Sequence, residues 1–146
     1  MNGEDEADDD GMDTADVIDV SVSCFRGHSD AVYSVAVHPR IPGLVITGGG
    51  DDNAYIWSYR SEPSDPTELG TNINSSIALI GHTDSVTSVG FNFDGSLALT
   101  GALDGKVKVW NISDGSLLQS LEGPEGAYLE IEMKHFMAYH IINNRL

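Results

Sequence analysis

The side chains best equipped for chemistry in this 146-residue chain come in two matching sets. His28 and Asp51 belong to one stretch; His82 and Asp104 occupy equivalent places in another. An imidazole beside a carboxylate is a pairing used in general acid–base catalysis, because the carboxylate orients the ring and stabilises its charged form. A single pair would invite a catalytic reading. Here the pair is duplicated, together with Thr47 and Trp57 in the first stretch and Thr100 and Trp110 in the second. Duplication of the whole group favours a structural task, and no catalytic residue is assigned.

Other chemistries fail on spacing. Gly101 to Lys106 approximates a phosphate-binding loop, but it is one residue short and Val107 stands where Ser or Thr is needed. Thr47-Gly48-Gly49-Gly50 could cradle an anion, yet Asp51 and Asp52 would repel it, so a turn after a strand is expected. Asp51-Asp52-Asn53 lacks the spacing of a calcium loop. His135 and His140 lie five apart, a poor helical spacing for metal ligation. Cys24 has no base nearby in sequence and reads as a buried strand residue. Neither a metal, a cofactor nor a small-molecule substrate is expected.

The elements that must position the two sets are short strands. Runs rich in Val, Ile, Leu and aromatics span 17–25, 32–38, 44–47, 54–58, 76–79, 86–91, 97–100, 107–110 and 117–121. Each is bounded by Gly, Pro, Asp or Asn, the punctuation of hairpins. Nothing between Val20 and Leu121 is long and periodic enough for a helix. Many short strands in close succession leave a sandwich, a barrel or a propeller.

Internal repetition separates these options. Gly27-His28-Ser29-Asp30 recurs as Gly81-His82-Thr83-Asp84, and Val32, Val35 and Val37 recur as Val86, Val89 and Phe91, at an offset of 54. Leu44 to Gly48 recurs as Leu97 to Gly101, and Asp51 to Trp57 as Asp104 to Trp110, at an offset of 53. The one-residue change falls in the turn around Pro39–Gly43. A Gly-His near the start and a strand ending in Trp resemble a WD40 repeat. The usual repeat is about 40–45 residues. The excess is accounted for by an insertion around 60–74 that carries Pro63, Pro66 and Gly70.

The resemblance implies an all-β chain of two four-stranded blades of an incomplete β-propeller. It also implies that His28, Thr47, Asp51 and Trp57 form one hydrogen-bonded chain, and His82, Thr100, Asp104 and Trp110 a second. Donors and acceptors match: indole donates, carboxylate accepts, hydroxyl and imidazole do both. Ser58 and Asn111 stand where the family usually has Asp after Trp. Longer stretches, including Thr47 to Trp57 and Leu121-Glu122-Gly123-Pro124, are similar to angio-associated migratory cell protein-like WD40 proteins. Members of that group look like cytosolic and nuclear scaffolds, some of them associated with ribosomal-protein chaperoning. Trp57-Ser58-Tyr59-Arg60 keeps the Trp and Arg, but not the Asp, of a motif by which some WD40 receptors meet a ubiquitin-ligase adaptor. Arg60 is therefore a candidate partner contact, with a plain loop residue the favoured reading.

Charge narrows the partners. Of 23 acidic residues, nine lie before Val20 with no base among them, and the other fourteen face all 7 Lys and Arg. A net charge of −16 argues against direct binding to nucleic acid or to anionic lipid, both of which need cations on the protein. It suits a basic protein partner. One cysteine excludes an internal disulfide and fits a reducing compartment, the cytoplasm and also the nucleus. No apolar run approaches the roughly 20 residues that span a bilayer, and the acidic start lacks the form of a secretory signal.

The expected organisation is a disordered acidic tail over 1–16, a strand plus the first repeat over 17–60 and a loop insertion over 61–75. The second repeat follows over 76–122 and an atypical tail over 123–146, where a short amphipathic helix or a non-native read-through sequence is expected. Propellers usually have four to eight blades. Two blades imply either an interaction scaffold with partner-dependent stability, or a truncated isoform or gene-model fragment without independent activity.

Overall fold

Eight strands form from the β-rich runs: β1 (Val32–Val37), β2 (Leu44–Gly49), β3 (Asn53–Tyr59), β4 (Ile73–Ile80), β5 (Val86–Phe91), β6 (Leu97–Ala102), β7 (Lys106–Asn111) and β8 (Leu117–Glu122). They belong to a computed structural model in which residues 23–59 and 73–122 are described. The strands make two antiparallel sheets in the orders β1-β2-β3-β4 and β5-β6-β7-β8, each neighbour in space being the neighbour in sequence. This meander architecture, all-β and helix-free among the described residues, is that of two WD40 blades.

The second strand of each sheet is the most apolar and is buried along almost its whole length. That follows from runs such as Leu44-Val45-Ile46 and Leu97-Ala98-Leu99, which have no polar alternation to spare for solvent. The inner strands carry the same irregularity: register slips between Val32 and Ser34 in one sheet and between Val86 and Ser88 in the other.

The blades pack face to face. Ile46, Ala54 and Ile56 of the first meet Val86, Ala98 and Trp110 of the second in one buried cluster. Leu79, fully buried, belongs to that cluster although it lies on β4, which hydrogen-bonds to β3 of the first blade. Thus β4 pairs within one blade and packs on the other. A backbone–side-chain bond from Val89 N–H to Ser34 Oγ, at 3.2 Å, ties the two inner strands.

Two expectations need correction. Residues 23–28 form no strand, and Cys24 is exposed, not buried. Nothing among the described residues pairs with this segment, and Phe25 stacks on Trp57 with centroids 5.0 Å apart and planes within 7°. The alternation that turns Phe25 inward turns Cys24 out. The remainder of the expected strand, 17–22, lies outside the described residues, as do the tail over 1–16 and the expected helix after Gly126. Secondly, β4 begins at Ile73 and takes in the last residues of the stretch read as insertion. Asn74 and Ser75 are poor strand formers alone, and pairing of Ser75 with Ser58 and Ile73 with Tyr59 carries the ladder through them.

Candidate functional site

Each blade gathers its His, Thr, Asp and Trp into one chain of hydrogen bonds. The His precedes the inner strand, the Thr is central on the second strand, the Asp sits in the turn to the third, and the Trp lies near the third strand's end. In the first blade His28 Nδ1 meets Asp51 Oδ1 at 2.9 Å, His28 Nε2 meets Thr47 Oγ1 at 2.9 Å, and Trp57 Nε1–H donates to Thr47 Oγ1 at 3.3 Å. In the second the same contacts measure 2.8 Å each, from Asp104 Oδ2 through His82 and Thr100 to Trp110.

The donors fix the tautomer. A carboxylate only accepts, so Nδ1 of each ring carries the proton. Nε2 then accepts from the Thr hydroxyl, and the hydroxyl oxygen accepts from the indole. Every group is satisfied in one direction, Trp to Thr to His to Asp. Each carboxylate also caps the turn before the inner strand, accepting from Ser29 N–H at 3.1 Å and from Thr83 N–H at 3.0 Å.

Titration follows this wiring. Burial presses the Asp51 carboxyl upward, but the bonds from His28, Ser29 N–H and Asn53 N–H outweigh it, and the group titrates below its ordinary 3.8. Asp104 behaves likewise, with Thr83 N–H, His82 and Lys106 N–H overcoming burial. For His82 burial dominates and holds the ring below its ordinary 6.5, although Asp104 pulls the other way. A protonated ring would also donate from Nε2, and the Thr100 hydroxyl would lose the acceptor it now uses.

The blades differ in what roofs the network. In the first, Phe25 lies on Trp57 and Tyr55 stands edge-on to His28 at 4.7 Å. In the second repeat the counterparts of Phe25 and Tyr55 by sequence are Leu79 and Lys108. Lys108 is only 7% exposed and donates from Nζ to Ser120 Oγ at 3.1 Å. Trp57 is half-buried where Trp110 is 2% exposed. No group of three potential metal ligands occurs among the described residues, and the Thr47 and Thr100 hydroxyls bonded to His28 and His82 belong to residues only 5% and 0% exposed.

Sequence reasoning missed His38. It is 6% exposed; its Nδ1 accepts from Arg40 N–H at 3.1 Å and Ile41 N–H at 2.8 Å, and its Nε2–H donates across the blade boundary to Gly95 O at 2.9 Å. Gly95 has φ +79°, and a Cβ there would fall 2.2 Å from the His38 ring, so the position demands glycine on both counts. A signal did exist: a histidine closing β1 has Asn92 as its counterpart in the second repeat. Arg60 lies outside the described residues.

Carboxylates stand at both ends of the strands: Asp94 and Asp114 are exposed in the turns after β5 and β7. The turns before β1 and β5 and those after β2 and β6 lie at one end, and they bring Asp30, Asp52 and Asp84 beside the two network carboxylates. Asp30 and Asp84 are exposed. Lys106 lies near this end, its ammonium 3.8 Å from Glu122. The opposite end, where β1 and β5 finish, holds an open groove of about 460 Å³ lined by Val37, Pro39, Arg40, Phe91 and Phe93.

Comparison with known proteins agrees with this geometry. The family described as WD domain, G-beta repeat matches residues 19–58 and 73–111, which is more than half of the chain. The chain is 36% identical over 94 residues to the ribosome assembly protein SQT1 of Saccharomyces cerevisiae, covering 60% of this chain and 20% of that protein. It is 37% identical over 87 residues to an uncharacterised WD repeat-containing protein of Schizosaccharomyces pombe, covering 58% of this chain and 19% of that protein. The chain thus spans about a fifth of the length of each of these relatives.

Proposed function

The chain belongs to the WD40 repeat family, and on that premise we propose that it is a non-catalytic protein–protein interaction scaffold whose acidic end engages a basic partner, with ribosomal proteins the leading class. The observation that carries this reading is that the described turns before β1 and β5 and after β2 and β6 carry Asp30, Asp51, Asp52, Asp84 and Asp104, against Asp94 and Asp114 in the described turns at the other end. Similarity to a ribosome assembly protein supports the choice of partner. So does the resemblance to the angio-associated migratory cell protein-like group. The overall charge of −16 supplies long-range attraction for a basic chain and repels polyanions. On this reading the two buried networks act as braces that hold the acidic turns in place, and the protein works in the cytoplasm and nucleus.

The test is calorimetry of the full chain against a panel of purified basic ribosomal proteins at low and raised salt. Binding should weaken as salt rises, and the triple change D30N/D52N/D84N should weaken it by about tenfold, as loss of several rim charges does. Affinity unchanged by both salt and the triple substitution would remove the basis for this function.

A further inference from the structure

Asp94-Gly95, Asp104-Gly105 and Asp114-Gly115 recur at ten-residue intervals in the second blade. An aspartyl residue before glycine can isomerise without an enzyme, because no side chain on the glycine bars its amide nitrogen from the carboxyl carbon. The nitrogen bonds to Cγ, and its proton leaves with the carboxyl hydroxyl as water, closing a succinimide ring. Water then reopens the ring at either carbonyl. Opening at the main-chain carbonyl leaves isoaspartate, in which the chain runs through Cβ and Cγ and is one carbon longer. No reagent but water is needed.

The fold holds the three carboxylates unequally. Asp104 belongs to the buried network: its Oδ2 accepts from His82 and from Thr83 N–H, and its Oδ1 from Lys106 N–H at 2.9 Å. Its side chain is 4% exposed, so expelling either oxygen breaks bonds that the blade depends on. Asp94 and Asp114 are exposed in their turns. Ser96 donates to Asp94 Oδ1 from its hydroxyl at 2.6 Å and its N–H at 2.8 Å, and Ser116 to Asp114 Oδ1 at 2.7 and 2.9 Å. These bonds hold both carboxyls below their ordinary 3.8. The protonated acid that loses water is therefore scarce at neutral pH, and reaction there is slow but not barred. The glycine amides do not separate the three, since each donates to a carbonyl of its own turn: Gly95 to Asn92 O at 3.1 Å, Gly105 to Ala102 O at 3.1 Å and Gly115 to Asn111 O at 2.8 Å.

Both exposed pairs abut the first blade. Gly95 O accepts from His38 Nε2–H at 2.9 Å. Gly115 lies against β4, where a Cβ would collide with Ile77 and meet Leu79 at 3.5 Å. A Cβ on Gly105 would meet nothing within 4 Å. We propose that Asp94 and Asp114 are sites of isoaspartate formation in the folded chain, that the added backbone carbon there loosens the boundary between the blades, and that Asp104 is guarded by its network. Neither the acidic end nor any partner enters this chemistry.

Incubation of the full chain at neutral pH for several weeks, followed by proteolysis and electron-transfer fragmentation, distinguishes isoaspartate from aspartate at each position. In native buffer isoaspartate at Asp94 and at Asp114 should each exceed that at Asp104 by about tenfold or more, because Asp104 reacts only when its network opens. In urea the three should converge. Hydrogen exchange at the Arg40 and Ile41 amides, which donate to His38 Nδ1, should quicken severalfold as the chain ages. It should not quicken on ageing of Asp94→Glu, whose longer side chain closes the larger imide far more slowly. The proposal is overturned if either Asp94 or Asp114 fails to exceed Asp104 in native buffer, or if the Arg40 and Ile41 amides of the aged chain exchange as they did when fresh.

Discussion

Replacing Thr100 by Val tests the second network with little change of shape. Thr100 is fully buried, and its hydroxyl accepts from Trp110 at 2.8 Å and donates to His82 at 2.8 Å. Valine keeps the volume and β-branching but leaves an indole N–H and an imidazole nitrogen without partners, in residues only 2% and 7% exposed. Each buried polar group so orphaned costs about 1–3 kcal/mol, so Thr100→Val should destabilise the chain by about 2–5 kcal/mol. Thr47→Val removes the same chemistry from the first blade, where the indole bond is longer, 3.3 Å, and Trp57 is half-buried. Water can reach that indole, and the cost should be nearer 1–3 kcal/mol. Urea unfolding followed by tryptophan fluorescence gives both values by linear extrapolation. Thr100→Ser keeps the hydroxyl and should cost about 1 kcal/mol, the price of one methyl. The reasoning is refuted if Thr100→Val costs under about 1 kcal/mol, if it costs no more than Thr47→Val, or if Ser is as damaging as Val.

Acid should act in two stages. His82 titrates below its ordinary 6.5 in the folded chain, so between its folded and unfolded values only the unfolded state is protonated. Its contribution is whole above 6.5, falls as pH drops below that, and levels off beneath the folded value. Asp51 and Asp104 contribute stability present above 3.8 that is lost as pH falls through their lower folded values. Urea midpoints from neutral pH downward should show both declines, with Asp104→Asn flattening the lower one; a midpoint that rises on acidification contradicts the scheme. Gly95→Ala places a methyl against His38 at a φ of +79° and should cost about 2 kcal/mol or more, read as faster hydrogen exchange at the amides of Arg40 and Ile41. Glu122→Gln breaks only a 3.8 Å contact between side chains 42% and 82% exposed and should move the unfolding free energy by less than about 0.5 kcal/mol.

Much of the fold was legible because its signals are local. Alternating apolar runs bounded by Gly, Asp and Asn located the eight described strands to within about three residues at each end, as hairpin punctuation allows. The members of both networks were legible through repetition and family resemblance, which place the same four residue types twice. His38 was not, because its task exists only at the boundary between copies. Its counterpart Asn92 serves its own turn instead, accepting from Leu97 N–H at 2.9 Å. Aligning one repeat on the other finds what they share and hides what joins them. Cys24 failed for a related reason: alternation says which residues share a side, while burial of that side depends on a neighbouring strand that 23–28 does not have among the described residues.

The double membership of β4 bears on how the molecule comes apart. Its backbone completes the ladder of the first blade while Leu79 lies in the buried cluster that also holds Trp110 of the second. Peeling β4 away would therefore strip an edge from one sheet and open the cluster that holds the indole of the other in the same event. Neighbouring repeats that share a strand in this way cannot melt one at a time. The pair should unfold as a single cooperative unit, so that a perturbation felt first at Tyr59 or Ser75 registers in the fluorescence of Trp110, on the third strand beyond the turn.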